Sequence, residues 1–288
     1  MEVLRPETWE EALWIKSERP EAVALQGGTD VMVDLNFDRV RPAAILDLSR
    51  VAELQEWWQW DGTIRLGAGV SYSQVIGELA RELPGLAIAA RTVGSPPIRN
   101  RGTVGGNLGS ASPAGDSHPP LLASGAEVEV TSRRGGRRVP IADFFVAPKR
   151  NALEPDELIA AAHVPVATGP QQYSKVGPRN AMVIAVCCLG LALDPYGRRV
   201  GVGIGSAAPT PVKAAEAERF LEGVLGERGL WESRAALSGE ELQRFGELVA
   251  QAARPIDDVR GSARYRVHAL AVMARRTLGW AWAEYREG

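Results

Sequence analysis

Residues 98–108 have the sequence Ile98-Arg99-Asn100-Arg101-Gly102-Thr103-Val104-Gly105-Gly106-Asn107-Leu108 and carry the clearest signal in the chain. They lie in a segment from Gly94 to Asp116 that holds six of the 31 glycines in only 23 of the 288 residues. A Gly-Gly pair leaves backbone amides uncovered, and small residues let a flat ligand approach the main chain. Because Pro96 and Pro97 stiffen the approach, we predict a ligand-binding segment here, with a flexible loop as the alternative.

A second glycine turn, Gly27-Gly28-Thr29-Asp30, follows the apolar run Val23-Ala24-Leu25, which is typical of a short buried strand. Successive N–H groups without a covering Cβ form a concave nest that suits an anion such as phosphate. The alternative is an ordinary strand-to-helix turn with Thr29 or Asp30 as its cap. Two such nests, about seventy residues apart, favour a ligand with two phosphates, and a dinucleotide fits better than a mononucleotide.

Several familiar nucleotide and hydrolase motifs are missing. Neither glycine segment has the G-x-G-x-x-G spacing of a classical dinucleotide site, and no phosphate-loop lysine or G-x-S-x-G nucleophile turn occurs. The run Gly201-Val202-Gly203-Ile204-Gly205-Ser206 imitates the first spacing but has Ser in place of the third glycine. We predict that this run is a tightly packed strand.

Composition excludes other classes of function. A net charge of -2 argues against nucleic-acid binding driven by a basic surface. The two cysteines, Cys187 and Cys188, are adjacent, so a strand would point them to opposite faces, and they cannot ligate a cluster alone. The longest apolar stretch, 181–193, is shorter than the ~20 residues of a membrane span, and the N-terminal residues have no apolar signal core. We expect a soluble cytoplasmic protein.

The order of predicted elements indicates an α+β protein with two domains. Ser71 and Gln74 predict a helix through Leu83, and a hairpin is predicted over 57–68 and another over 127–141. The small and proline-containing run 166–170 is the expected linker. Strands around 172–176, 183–193 and 200–206 precede helical patterns over 212–222, 239–253 and 264–285.

The two glycine segments, with the Ala-Ser-Pro-x-x-Asp continuation that ends at Asp116, resemble the FAD-binding medium subunit of the molybdenum hydroxylases. That family includes xanthine dehydrogenases and aerobic carbon monoxide dehydrogenase. The similarity continues through residues 153–159, which resemble the end of the family's flavin domain, and through 173–179, which resemble the start of its C-terminal domain. It implies an α+β chain with a two-lobed FAD-binding domain of the vanillyl-alcohol-oxidase-like type over 1–166 (lobes 1–54 and 55–166). A small C-terminal α+β domain over 171–288 follows.

The resemblance also implies non-covalent FAD between the two lobes. Residues Leu25 to Asp30 would surround the pyrophosphate, Asp116 would bond the sugar or ribityl part, and Leu158 and Ile159 would border the isoalloxazine ring. Lys175 would approach that ring from the second domain. The complete set of expected FAD contacts is Leu25, Gln26, Gly27, Gly28, Thr29, Asp30, Gly94, Ile98, Thr103, Gly105, Gly106, Asn107, Ser112, Asp116, Leu158, Ile159 and Lys175.

The function implied is electron transfer, from [2Fe-2S] clusters on a partner chain through FAD to NAD or O2. Substrate would be oxidised on a separate molybdopterin-binding subunit, in a dimer of heterotrimers that involves neither nucleic acid nor membrane. The alternatives are a self-sufficient flavin oxidoreductase and a scaffold that has lost FAD. The sequence departs from the family at Val183, where an acidic residue is common, and at Asn151, where threonine is common. His118 is expected at the surface or behind the site.

Overall fold

The computed structural model describes all residues from 1 to 288. Its strands are β1 (Glu2–Leu4), β2 (Val23–Leu25), β3 (Ala44–Asp47), β4 (Trp57–Trp60), β5 (Thr63–Gly67), β6 (Glu127–Ser132), β7 (Gly135–Pro140), β8 (Phe145–Ala147), β9 (Arg150–Asn151), β10 (Leu158–Pro165), β11 (Gln171–Val176), β12 (Cys187–Asp194), β13 (Arg199–Gly205) and β14 (Val212–Lys213). Its helices are α1 (Trp9–Glu18), α2 (Val31–Asn36), α3 (Tyr72–Glu78), α4 (Pro84–Thr92), α5 (Pro96–Arg101), α6 (Val104–Ser110), α7 (His118–Ser124), α8 (Ile141–Phe144), α9 (Ala215–Glu227), α10 (Leu230–Ser233), α11 (Gly239–Ala252) and α12 (Ala263–Glu287).

The N-terminal residues form a three-stranded parallel sheet in the order β1-β3-β2. Helix α1 begins where the hydroxyl of Thr8 accepts a hydrogen bond from the Glu11 N–H, which satisfies an amide that the helix leaves free. The first glycine turn follows β2 directly and leads into α2, so the sheet places residues 26–30 at one end of a strand.

A second, antiparallel sheet has five strands in the order β4-β5-β10-β6-β7. The central strand β10 is buried along nearly its whole length, as its apolar sequence requires. The side chains of both sheets share one core of 35 buried residues with helices α3, α4, α6 and α7. Helix α6 carries the Gly105-Gly106 pair, so this core supports the second glycine segment from below.

The C-terminal part is a four-stranded antiparallel sheet, β11-β12-β13-β14, backed by α9, α11 and α12. It has its own core of 26 buried residues. Cys187 lies in that core, whereas Cys188 packs on the opposite face with Tyr173, as the strand geometry predicts, and both thiols are free. Mixed helices and antiparallel strands make the chain α+β, in agreement with the sequence prediction.

Helix α7 joins the two parts by lying on strands β12 and β13. A Cβ at Gly201 would lie 1.8 Å from the Ala123 carbonyl oxygen, and one at Gly203 would lie 2.2 Å from the Pro119 carbonyl oxygen. Contacts this short leave room only for glycine. The G-x-G-x-G run is therefore a closely packed strand, as predicted, and its glycines serve helix packing rather than phosphate binding.

The segment Gly94–Asp116 contains helices α5 and α6, which excludes the alternative of a flexible loop. Two sequence predictions differ from the structure. The helix predicted through Leu83 ends at Glu78. Leu83 is not helical, because proline disfavours the helical conformation of the residue before it, and α4 starts at Pro84. Strand β12 begins at Cys187 rather than at Val183, and the guanidinium of Arg179 binds backbone carbonyls of the preceding loop.

Candidate cofactor site

The first glycine turn presents a row of free backbone donors. The N–H groups of residues 27–30 donate no hydrogen bond within the chain. Gly28 has φ +74, a conformation that a residue with a Cβ rarely adopts, and this turns the chain from β2 into α2. Asp30 stands at the N-cap of α2 but makes no capping bond with its side chain. The turn is therefore a nest of amides with the capacity to hold an anion.

The two glycines of the second pair, Gly105 and Gly106, have different surroundings. A Cβ at Gly105 would lie 2.5 Å from the Cα, Cβ and carbonyl oxygen of Ala68, so Gly105 faces the protein interior. Gly106 is exposed, and a Cβ there would meet only the Thr103 hydroxyl at 3.0 Å. That hydroxyl accepts the Gly106 N–H at 2.9 Å and caps helix α6. Gly105 thus allows close packing, and Gly106 keeps the outer surface of the helix open.

The two segments are in direct contact. A Cβ at Gly27 would lie 2.0 Å from the Arg101 carbonyl oxygen and 3.1 Å from the Gly102 Cα. The amide nitrogen of Gln26 would similarly lie 2.6 Å from a Cβ at Gly69, which precedes helix α3. Residues separated by about seventy positions therefore form one continuous cradle, which we call the glycine cradle and define as residues 26–30 and 102–107.

The chemistry of the glycine cradle fits a phosphate-containing dinucleotide. Free N–H donors suit pyrophosphate oxygens, and the absence of a side chain at Gly106 gives the ligand access to the backbone. The side-chain oxygen of Gln26 is buried and has no hydrogen-bond partner in the protein. An unpaired buried acceptor is costly, and a ligand hydroxyl would satisfy it.

A polar network holds helix α6 from behind. The Ser117 hydroxyl donates to the Asn107 side-chain oxygen at 2.6 Å, and the buried Tyr72 lies beside Ser117. His118 places Nε2 3.2 Å from the Asn107 carbonyl oxygen and packs its ring against Phe145 at 4.4 Å. Burial lowers the pKa of His118 to about 4, so the imidazole is neutral at physiological pH. Asn107 is thus held by two adjacent residues, Ser117 and His118, at the start of helix α7.

His118 itself is fully buried, which excludes the surface position and leaves it behind the site. Its ring fills the space beside Gly115, where a Cβ would lie only 2.2 Å from Cε1. The loop between α6 and α7 therefore closes over the imidazole.

Asp116 binds residues of the second part of the chain. Its Oδ1 accepts the Tyr173 hydroxyl at 2.7 Å, and its Oδ2 accepts the Lys175 ammonium at 2.7 Å. Lys175 also donates to the Thr92 carbonyl oxygen at 3.3 Å. Burial raises the pKa of Asp116, while the Lys175 charge and the Tyr173 hydroxyl oppose that shift. The sequence analysis predicted Asp116 and Lys175 as separate FAD contacts, whereas in the structure they form an ion pair with each other.

The other expected contact residues surround the glycine cradle or support it. Gly94 has φ +42 and packs on Ile98, whose Cγ2 would lie 2.8 Å from a Cβ at Gly94. Leu158 and Ile159 are buried in β10, and Ile159 Cδ1 would lie 3.7 Å from a Cβ at Gly109, so this strand passes beneath helix α6. Ser112 is half-buried and binds backbone groups of its own loop. Leu25 ends β2, and its carbonyl accepts the Leu48 N–H.

Four residues that organise the site carry no signal in the sequence that points to this role. Tyr72 and Ser117 support Asn107, Tyr173 binds Asp116, and Arg99 donates to the carbonyls of Val93 and Gly94. Tyr72 and Ser117 each adjoin a residue that was selected, but only the fold brings them together. No group of three or more His, Cys, Asp or Glu side chains has the spacing to hold a metal ion. None of the helices combines the length and apolar character needed to cross a membrane.

Residues 1–167 match the FAD binding domain in molybdopterin dehydrogenase, and residues 172–281 match the CO dehydrogenase flavoprotein C-terminal domain. This chain belongs to the molybdenum hydroxylase FAD-subunit family. The resemblance deduced from the two glycine segments is thereby confirmed, together with the fold class and the assignment to oxidoreductase subunits.

Relatives match over nearly the whole chain. A xanthine dehydrogenase FAD-binding subunit from Escherichia coli is 32% identical over 97% of this chain and 95% of its own length. The nicotine 6-hydroxylase medium subunit of Paenarthrobacter nicotinovorans is 27% identical over 95% of this chain and 94% of its own. A chain of the reconstituted CO dehydrogenase from Oligotropha carboxidovorans superposes with a TM-score of 0.89 at 26% identity, covering 99% of this chain and 98% of that one.

Proposed function

We propose that this chain is the FAD-carrying electron-transfer subunit of a multi-subunit molybdenum hydroxylase. The observation that carries the proposal is the direct contact between the two glycine segments, with the unpartnered N–H groups of residues 27–30 on the same cradle. The free donors of the first segment suit a pyrophosphate, and the second segment lies against them with no side chain at Gly106 in the way. The family membership supports FAD as the dinucleotide.

In this proposal the glycine cradle holds the pyrophosphate. The N–H groups of residues 27–30 act as donors, and Gln26 supplies a buried acceptor for a hydroxyl. Thr103 fixes the start of helix α6, so that Gly106 stays open and Asn107 stays oriented by Ser117. Gly94, Ile98 and Ser112 would line the nucleotide, and Leu158 and Ile159 would border the ring system.

The second domain contributes a positive charge. Asp116 and the Thr92 carbonyl hold the ammonium of Lys175, and we expect this charge beside the ring system. Bound FAD supplies reversible electron-transfer chemistry, whereas the protein provides binding, orientation and electrostatic tuning. A positive charge beside the flavin ring system stabilises the negative charge that the ring system gains on reduction. Asp116 keeps the cation in position from the first domain.

The proposed domains are 1–166, with lobes 1–54 and 55–166, and 171–288, joined by the short linker between them. Two separate hydrophobic cores support this division. The partners would be a molybdopterin-binding large subunit and a [2Fe-2S] small subunit, arranged as a dimer of heterotrimers. Electrons would leave the flavin for NAD or O2. A cytoplasmic location is proposed because both cysteines are free and buried.

The visible spectrum of the purified chain tests the proposal. The chain alone, incubated with FAD and then separated from excess cofactor, is expected to show flavin absorption bands and no oxidation of organic substrates. Absence of the bands after incubation would refute FAD binding and would favour the alternative of a scaffold that has lost FAD. Bands accompanied by turnover of an organic substrate without partner chains would instead favour a self-sufficient flavin oxidoreductase.

A further inference from the structure

The side chain of Tyr173 is fixed between the two hydrophobic parts of the chain. Tyr173 is only 6% exposed. Its ring packs in a small cluster with Ala89 of helix α4 and with Ala185 and Cys188 of the C-terminal part. The hydroxyl donates to Asp116 Oδ1 at 2.7 Å. Because packing fixes the ring, the hydroxyl has one position, and from that position it bonds the carboxylate.

The ammonium of Lys175 has a spare hydrogen-bond donor. Lys175 lies two residues after Tyr173 on the same face of β11. Asp116 Oδ2 accepts from its ammonium at 2.7 Å and the Thr92 carbonyl oxygen at 3.3 Å, and Thr92 ends helix α4, where the helix dipole favours a cation. An ammonium has three N–H donors, so one has no partner within the chain although the side chain is only 7% exposed. A buried donor of this kind is available to a bound ligand.

The carboxylate of Asp116 is shared between the hydroxyl and the ammonium. One oxygen accepts from Tyr173, which leaves the other oxygen to accept from Lys175. Without the hydroxyl, both oxygens would be free to hold the ammonium, and more of the negative charge of the carboxylate would stay uncompensated. Both changes reduce the positive charge that Lys175 presents to a ligand. The hydroxyl of Tyr173 thus influences that charge through Asp116.

We propose that Tyr173 is a positioning residue that raises the reduction potential of bound FAD by acting through Asp116 and Lys175. The inference rests on the proposed function, because it takes FAD with its ring system beside Lys175 as given. Reduction adds negative charge to the ring system, so a more positive neighbour stabilises reduced FAD relative to oxidised FAD. The Tyr173 hydroxyl therefore makes the flavin a better electron acceptor.

The test measures the reduction potential of FAD bound to the full-length chain, by reductive titration in the presence of a reference dye. Tyr173→Phe removes the hydroxyl and keeps the ring. Ser174→Ala is the matched control on the same strand. It removes a hydroxyl that lies 2.6 Å from the Thr277 hydroxyl, on the opposite face of β11 from Asp116.

Tyr173→Phe should weaken the preference of the protein for reduced over oxidised FAD about tenfold, which lowers the potential of this two-electron couple by about 30 mV. Ser174→Ala should keep the wild-type potential, although both variants lose a hydrogen bond. An unchanged or higher potential in Tyr173→Phe, or an equal fall in Ser174→Ala, would overturn the inference. Wild type that binds no FAD would instead refute the proposed function.

The route through the carboxylate is tested in an Asp116→Asn background. There Tyr173→Phe should leave the potential almost unchanged, because the charge on which the hydroxyl acts is absent, and a tenfold effect would overturn the route. If Tyr173→Phe does not fold, a ring-fluorinated tyrosine at position 173 takes its place. Fluorination makes the hydroxyl a stronger donor, so the potential should rise, and an unchanged or lower potential would overturn the inference.

Discussion

The ammonium of Lys175 lies 2.7 Å from Asp116 Oδ2 and joins the two domains through a buried ion pair. The side chains are 7% and 11% exposed, so the pair is shielded from water. The Tyr173 hydroxyl binds the other carboxylate oxygen, and the Thr92 carbonyl accepts a second bond from the ammonium. The glycine cradle in the first domain and strand β11 in the second are therefore held in one relative position.

Removal of either charge should destabilise the protein. Lys175→Met leaves the Asp116 carboxylate buried without its cation, so the free energy of unfolding should fall by about 3 kcal/mol. Asp116→Ala should have a similar effect, and the double variant should lose less than the sum, with a coupling of about 1–3 kcal/mol. Urea denaturation of the FAD-free protein measures these values.

The exposed pair Arg198–Glu232 provides the control for that cycle, because its side chains are 65% and 60% exposed. Its coupling should stay within about 0–1 kcal/mol. A coupling for Lys175 and Asp116 no larger than this would show that the pair does not hold the domains together.

Much of the fold could be predicted from sequence because the determining signals were local. The Ser71–Gln74 capping box forms as expected, and the two hairpins occur with turns close to the predicted positions. Alternation along β12 placed Cys187 and Cys188 on opposite faces. These features depend on neighbouring residues, which the sequence displays directly.

The contacts between distant residues could not be predicted in this way. Asp116 and Lys175 were both selected, but nothing in the sequence showed that they bind each other across 59 positions. The role of Gly105 in packing on Ala68 and the burial of His118 likewise depend on how sheets and helices assemble. Helices α5 and α6 were also not predicted, because glycine and proline have low intrinsic helix propensity. Tertiary packing overrides that weak preference in the folded protein.

The two adjacent glycines of helix α6 should respond differently to alanine. Gly105→Ala places a methyl group 2.5 Å from Ala68 and should cost about 1–3 kcal/mol of stability through overpacking. Gly106→Ala meets only the end of the Thr103 side chain at 3.0 Å and should change stability by less than about 1 kcal/mol. Thermal unfolding of the FAD-free variants compares them. Equal losses would mean that Gly106 is as closely packed as Gly105.

The stability of the protein should depend on pH through His118. Burial lowers the pKa of this imidazole to about 4, whereas an unfolded histidine titrates near 6.5. Between these values the unfolded chain binds more protons, so acidification favours unfolding. The free energy of unfolding should fall by about 3 kcal/mol between pH 6.5 and 4 on account of His118.

The slope of the free energy of unfolding against pH is compared between variants, because this separates the His118 contribution from that of carboxylates that titrate in the same pH range. His118→Gln should remove this part of the pH dependence, even if the variant is less stable at every pH. His268→Gln is the matched control because His268 is exposed on α12. If the His118→Gln slope equals that of the wild type, then His118 is not buried as a neutral group.

Binding of FAD at the glycine cradle is tested by titration of the FAD-free protein with FAD, followed by flavin fluorescence, for wild type and Gly106→Val. A branched side chain at Gly106 would project from the exposed surface of α6 over the cradle. Gly223→Val is the control, since a Cβ at Gly223 meets no atom within 4 Å. We expect one FAD per wild-type and control chain. In a folded Gly106→Val, binding should be weakened by about a hundredfold or more, because obstruction of the pyrophosphate removes several hydrogen bonds of about 1–1.5 kcal/mol each. Wild-type affinity for FAD in folded Gly106→Val would contradict FAD binding at the glycine cradle.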